Sequence, residues 1–282
     1  MTATDPRITC STITLRHLPL AEALVEIRAR GFEGIDLGAL PGVCDHVPYD
    51  LDDAAVAAVA ATVVASGLRV RSVNADVGDL NRPDSADTAA RRSAHVERLL
   101  DLCVAIGSDA LVLPNGGQDH DPVADLDADL DLVAARLVEI SDAARARGIE
   151  LWVEAPHFFR LAYDLDRAGA LLSRLPAEVG VVLDTSHIVA GGGDPRDFLA
   201  AHAARTRHVH LRDAEPGYIH HSIGRGQVDF ADLAAALAEV GYAGDLALEL
   251  ETRDTADADR ADAARAAAEH LSGLLAAAAV PA

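Results

Sequence analysis

The stretch Val179-Gly180-Val181-Val182-Leu183-Asp184-Thr185-Ser186-His187 decides how this chain is read. An apolar run ends in polar residues and is followed by Gly191-Gly192-Gly193. That pattern predicts a buried parallel strand that delivers side chains at its C-terminal end. Asp184 and His187 are common metal-ligand types, and they stand where the strand stops. Three further strand ends match. Ile149 to Glu154 ends on a carboxylate, Arg207 to Leu211 brings His210, and Leu246 to Glu251 ends on carboxylates. The four ends are expected to meet around one divalent cation.

Working outward, strand-like and helix-like segments alternate along the whole chain. Strands are expected at 8–13, 34–37, 68–73, 110–113, 149–153, 179–183, 206–211 and 246–250. Helices are expected at 19–30, 51–66, 84–106, 122–147, 163–175, 195–202, 230–240 and 257–278, several of them ended by glycine at Gly31, Gly67, Gly107 and Gly148. Eight strand–helix units with short connections predict an α/β fold, a single (β/α)₈ TIM barrel over residues 1–282. An open doubly wound sheet would need a glycine-rich phosphate turn after the first strand, and Cys10-Ser11-Thr12-Ile13-Thr14 is not one.

Composition narrows the function. The formal net charge of −21 disfavours nucleic acid, whose binding rests on Lys and Arg neutralising phosphates, and anionic membrane surfaces. It does not disfavour a small substrate, because a local cation can invert the field inside a cleft. No apolar run approaches the ~20 residues that span a bilayer, and the N-terminus lacks a signal-peptide pattern, so a cytoplasmic protein is expected. Cys10, Cys44 and Cys103 are sparse and widely spaced, and read as reduced thiols.

In a (β/α)₈ barrel the C-terminal strand ends form the active-site face. A carboxylate there is costly unless paired or metal-bound. Strands five to eight each deliver a ligand type: Glu154, Asp184, His210 and Glu249. Three carboxylates and one imidazole make a hard, oxygen-rich set suited to Mn²⁺ first, with Mg²⁺, Co²⁺ or Zn²⁺ as alternatives. A hydroxy-ketone could fill the open positions and pass through a stabilised enediolate. Glu154 and Glu249 could flank it as an acid/base pair.

These motifs resemble the xylose isomerase-like barrel superfamily, and within it the sugar phosphate isomerase/epimerase group. The resemblance covers nearly the whole chain. It rests on Val153-Glu154, Asp184-Thr185-Ser186-His187, His208-Val209-His210-Leu211-Arg212-Asp213, and Gly244 followed five residues later by Glu249. It implies Glu154, Asp184, His210 and Glu249 as metal ligands, Glu154 and Glu249 as catalytic residues, and His187 as a substrate contact. Glu251 is the alternative to Glu249, though both face one way only if the strand has ended. The group spans ketose 3-epimerases, hydroxypyruvate isomerases, inosose-pathway enzymes and 3-dehydroshikimate dehydratases. It implies a small carbohydrate-like substrate and a homo-oligomer, dimer or tetramer. The superfamily's trinuclear-zinc endonucleases need histidines where this chain has Asn74 and Asn115. The epimerases place an arginine soon after the metal histidine, where this loop reads Asp213-Ala214-Glu215-Pro216; Arg212 or Arg225 could substitute.

Other mouth residues follow from position. Asn74 and Asn115 could bond substrate hydroxyls, and His157 could bind substrate or cap its loop. Gly224-Arg225-Gly226 could cradle an anion, or only turn the chain toward the next helix. Asp45-His46 could form a lid or lie exposed. Trp152 is expected to face the helices. A metal-dependent isomerase or epimerase is the leading expectation. A lyase using the same enediolate and a non-catalytic sugar-binding barrel are the alternatives.

Overall fold

The computed structural model of this protein describes residues 4–279. Eight strands close into a parallel barrel: β1 (Ile8–Ser11), β2 (Gly34–Ala39), β3 (Arg69–Ala75), β4 (Ala110–Pro114), β5 (Glu150–Glu154), β6 (Gly180–Asp184), β7 (Thr206–Leu211) and β8 (Leu246–Leu248). Sequence neighbours are neighbours in the ring, and β8 pairs with β1 to close it. Around it run α1 (Leu20–Ala29), α2 (Asp53–Ser66), α3 (Ala86–Ile106), α4 (Leu126–Arg145), α5 (Leu165–Arg174), α6 (Thr185–Ala190), α7 (Pro195–His202), α8 (Phe230–Glu239) and α9 (Arg260–Ala278).

The strands are apolar on both faces because helices cover the outside and side chains fill the inside; β2, β4 and β6 are buried at every residue. Part of the acid surplus is spent starting helices. Asp52, Asp125, Asp164 and Asp229 each accept an N–H of the first turn, a contact worth about 1 kcal/mol. Gly67 and Gly107 end α2 and α3 in left-handed backbone, where a side chain would be strained.

Several expected boundaries move. The first strand stops at Ser11, and Thr12–Leu15 turns as a short 3-10 helix. Helix α4 begins at Leu126 rather than at 122, because Asp125 takes the cap and the preceding residues form a loop. Asp184 caps α6 directly, so strand and helix share one residue. After β7 the chain makes a hairpin, Asp213–Glu215 against Tyr218–His221, where only a loop was expected.

Trp152 corrects the expectation that it faces the helices. Side chains in a strand alternate, so Glu150, Trp152 and Glu154 share one face, and that face is the barrel interior. Trp152 packs there with Ala110, Val112 and Val182, apart from the main core between strands and helices. Its Nε1 donates to Glu150 Oε2 at 2.7 Å, and the Arg71 guanidinium lies 4.5 Å from the ring centroid. The indole leaves no room for a side chain at position 180, where a Cβ would overlap it; β6 carries Gly180 there.

Candidate metal centre at the barrel mouth

Residue parity sets the centre. Glu154 ends β5, Asp184 ends β6, His210 is the penultimate residue of β7, and Glu249 directly follows β8. Asp184 and His210 are register partners across β6 and β7. All four side chains are buried, and their ligand atoms lie within 4.8 Å of one another. His210 Nδ1 stands 3.2 Å from Glu154 Oε1, 3.4 Å from Glu249 Oε2 and 3.8 Å from Asp184 Oδ2. In an octahedral shell with bonds of about 2.1 Å, adjacent ligand atoms lie about 3 Å apart and opposite ones about 4 Å. The observed spacings fall in that range.

Asp184 supplies the test of fit. Its Oδ1 accepts from Ser186 N at 2.7 Å, Ser186 Oγ at 2.7 Å and His187 N at 2.9 Å. Its Oδ2 is buried and has no hydrogen-bond partner among the described residues, with the Arg212 guanidinium no nearer than 3.7 Å. An unpaired carboxylate oxygen in a dry site is costly, and a cation at the centre of the four ligands would satisfy it. The donor set therefore fits a divalent ion.

The supporting contacts orient the ligands. Asp36 Oδ2 lies 3.2 Å from His210 Nε2 and 2.6 Å from His208 Nε2, beneath the cluster. Asp36 hydrogen-bonds His208 and sits against the far nitrogen of His210 as a charged neighbour, which leaves the near nitrogen for a metal. Asn74 Nδ2 donates to Glu249 Oε1 at 2.9 Å. Arg212 donates from Nε to Ser186 Oγ at 2.9 Å, and its terminal nitrogens approach Glu251 at 3.4 Å and Asp184 at 3.7 Å.

Burial pushes Glu154 up to about 7, against the lowering effect of its hydrogen bond from His210. For His210 burial works the other way, yet the Glu249 charge and the contacts to Asp36 and Glu154 hold it well above the ordinary imidazole value. Asp184 stays below the ordinary carboxylate value despite burial, through the Arg212 and His210 charges. Burial and nearby cations hold His157 and His187 well below theirs, so both rings are neutral.

His187 accepts Phe158 N–H at Nδ1 over 3.1 Å, and its Nε2 lies 3.4 Å from Arg212 Nη2. His157 stacks on it at 3.8 Å between centroids and reaches Glu154 Oε2 at 3.7 Å. Both rings line a cleft of about 230 Å³ with Asn74, Glu154, Arg212 and Glu249. Glu251 lines it too, because β8 ends at Leu248 and both glutamates can turn inward, but Glu251 pairs with Arg16 at 2.6 Å.

Three sequence expectations land elsewhere. Asn115 spends its amide on backbone, donating to Glu154 O at 2.9 Å and Ala162 O at 3.2 Å and accepting from Ala162 N at 2.6 Å. It braces the loop after β5 and has no group left for a substrate. Arg225 lies beside Arg260 and His270 in a separate pocket against α9. The N–H groups of Gly224 and Gly226 donate to Asp213 Oδ2 at 2.8 and 2.9 Å, so that loop cradles its own carboxylate. His46 is buried, with Nε2 at 2.9 Å from Leu18 O, and forms no lid over the centre. The sequence reading missed Asp36 and His208. The signals were a lone carboxylate inside an apolar strand, Gly34-Ile35-Asp36-Leu37, and a second histidine two residues before His210.

The fold and this cluster define a (β/α)₈ barrel with a candidate divalent-cation centre on the face where such barrels carry their sites. The chain belongs to the xylose isomerase-like TIM barrel family, whose model matches residues 24–274. It is 27% identical over 260 residues to a Streptomyces coelicolor hydroxypyruvate isomerase homologue, covering 86% of this chain and 89% of that one. It is 26% identical over 250 residues to a Pseudomonas aeruginosa 3-dehydroshikimate dehydratase, covering 82% of this chain and 36% of the dehydratase. The solved structure of the IolI protein with a zinc atom has the same fold, with TM-score 0.77 at 17% identity over 96% of this chain and 98% of that one. Family members are enzymes, among them isomerases and a dehydratase. No helix among the described residues is long and apolar enough to cross a membrane.

Proposed function

We propose that this protein is a divalent-metal-dependent isomerase or epimerase acting on a keto-sugar, keto-acid or cyclitol ketone. The observation that carries the reading is the unpartnered Asp184 Oδ2 among Glu154, His210 and Glu249. Those four residues would hold the ion. When bound, a divalent ion supplies Lewis-acid polarisation of a carbonyl and counter-charge for an enediolate.

The chain's own residues do the rest. Glu154 and Glu249 approach from strands separated by β6 and β7, so they can address opposite faces of a carbon between them. One removes the proton α to the carbonyl and the other delivers a proton back. Neutral His187 lines the cleft beside Arg212, whose guanidinium can donate to a substrate oxygen. All 24 basic residues are arginine, so no lysine amine is present to form a Schiff base, and the carbonyl cannot be activated that way. Manganese is the proposed physiological ion, because the three carboxylates make a hard site; the zinc in the IolI structure makes zinc the first competitor. The proposed substrate is small and carbohydrate-like, the proposed assembly a homo-oligomer in the cytoplasm.

The test is proton exchange. The metal-loaded protein is incubated in deuterated buffer with keto-sugars, hydroxypyruvate and inosose. Deuterium at the carbon next to the carbonyl, lost in Glu154→Gln and Glu249→Gln with the fold retained, is the expected result. Full activity in either variant would overturn the two-carboxylate mechanism. The resemblance to a dehydratase supports a second reading, a lyase in which the same intermediate expels a β-hydroxyl. Release of water with a product 18 mass units lighter, on the order expected for loss of one water from an enediolate, would favour it.

A further inference from the structure

Behind the segment that follows β8 lies a separate cavity of about 260 Å³, walled by that segment, by the loop after the hairpin and by one face of α9. Its titratable lining is Arg225, Arg260 and His270, with no carboxylate. In a chain with 45 acidic residues against 24 arginines, that is a local inversion of charge. The metal cleft and the cavities lined by Asp79 and by Asp232 all contain carboxylates. Carboxylates and backbone carbonyls take up nearly every arginine. Arg225 and Arg253 are the two whose side chains make no hydrogen bond or ion pair among the described residues, and Arg225 lines this cavity. His270 also has no partner among them. Asp254 lies close enough for Arg225 to lower its pKa, but it is taken by Ser222 N at 3.1 Å and Ser222 Oγ at 2.6 Å and does not line the cavity.

The lining selects the kind of anion. Ala263, Ala266 and Ala267 put three methyl groups on one face of α9, and Ile223 and Leu250 complete an apolar floor. Phosphate draws on several N–H donors and gains nothing from such a floor. The N–H groups of Gly224 and Gly226 beside the cavity already go to Asp213 Oδ2. One arginine and one imidazole above apolar surface suit a single carboxylate with an apolar body.

The cavity shares a wall with the metal cleft. Glu249, Glu251 and Arg253 line the cleft, while the residues between them, Leu250 and Thr252, line the cavity. Arg260 is buried and holds this wall from behind, donating to Thr252 O at 3.0 Å and Leu250 O at 3.5 Å. A ligand pressed on Leu250 therefore acts on the backbone that carries Glu249.

We propose that this cavity is an effector site for a small organic carboxylate with an apolar body. Arg225 and His270 hold the carboxylate, the body rests on Leu250 and the α9 alanines, and occupancy alters metal affinity through Glu249. The site stands apart from the isomerase or epimerase reading; its effect on the cation rests on the proposed metal centre.

Benzoate is the probe, with benzyl alcohol as its uncharged counterpart. Ligand-observed NMR on the full-length, metal-loaded protein is expected to give saturable benzoate binding with a dissociation constant of about 1 mM, the scale set by a ligand of this size. Benzyl alcohol and inorganic phosphate are expected to bind about tenfold or more weaker, the effect of losing a charge-assisted contact or the apolar one. Arg225→Ala, at an exposed position, is expected to weaken benzoate to the same degree. Ala266→Phe fills the cavity without changing charge and is expected to abolish binding. No saturable binding, equal binding of benzyl alcohol, tighter binding of phosphate, or benzoate affinity untouched by both variants overturns the site. Mn²⁺ titrations with and without saturating benzoate are expected to differ about fivefold or more, with the difference lost in Arg225→Ala. Equal Mn²⁺ affinity overturns the effector role. Failure of the protein to bind any divalent metal would instead sink the proposed metal centre, and the benzoate affinities would stand.

Discussion

Asp36 and His208 meet at 2.6 Å in the barrel interior, and neither has any solvent exposure. The same carboxylate oxygen lies 3.2 Å from His210 Nε2. One aspartate thus ties the floor of the site to its histidine ligand. Asp36→Asn keeps the volume and removes the charge. It is expected to lower affinity for Mn²⁺ or Zn²⁺ by about 10–100-fold, the usual effect of losing a ligand's supporting carboxylate. Calorimetric titration of metal-free protein checks it, with circular dichroism as the fold control. Unchanged affinity would mean that packing alone orients His210.

Metal should stabilise the fold by mass action. At a hundredfold excess over its dissociation constant, a ligand specific for the folded state contributes about 2.7 kcal/mol. Thermal melts with and without a chelator should therefore separate by several degrees. Asp184→Asn is expected to abolish the separation, since it removes the ligand oxygen that nothing else satisfies. A separation that survives that variant would place the stabilising ion elsewhere.

Burial lowers the pKa of His46, whose ring is bonded to Leu18 O. The folded protein holds the ring neutral, while the unfolded chain protonates it near 6.5. Its stabilising contribution is therefore intact above about 6.5 and shrinks as pH falls below that. Glu154 and His210 are shifted upward and act in the opposite sense, so the comparison must be differential. Urea midpoints of the protein and of His46→Gln should converge between pH 7.5 and 5. Parallel curves would show that His46 is protonated equally in both states.

Trp152 fills the barrel interior between Val182, Ala110 and Val112. Truncation to alanine should cost about 3–5 kcal/mol, as for other large buried side chains. It would also strip Arg71 of its aromatic partner and Glu150 of its donor. Guanidinium unfolding monitored by circular dichroism measures the loss. A cost under about 1 kcal/mol would mean the interior collapses onto the gap.

The strand ends were legible because a buried strand that stops on a polar side chain marks both its own end and the direction it faces. That logic brought Glu154, Asp184, His210 and Glu249 together from four separate stretches. It misplaced Trp152, which shares the parity of Glu154 two residues on. It passed over Asp36, whose partner His208 lies 172 positions away on the far arm of the ring. Gly224 and Gly226 looked like an anion cradle because their N–H groups read the same in sequence whether free or bound. Only the fold shows that Asp213 already holds them. The hairpin after β7 was invisible because its pairing depends on how the loop folds back.

Three ligands come from the adjacent strands β5, β6 and β7, and the fourth follows β8, the strand that meets β1 and shuts the ring. The centre is thus gathered on one side of the ring, and β1 to β4 contribute no ligand to it. A chain that has laid down seven strands owns three donors and no complete site. Cation capture is then a reporter of the last strand's docking beside β7, and that docking arms the site.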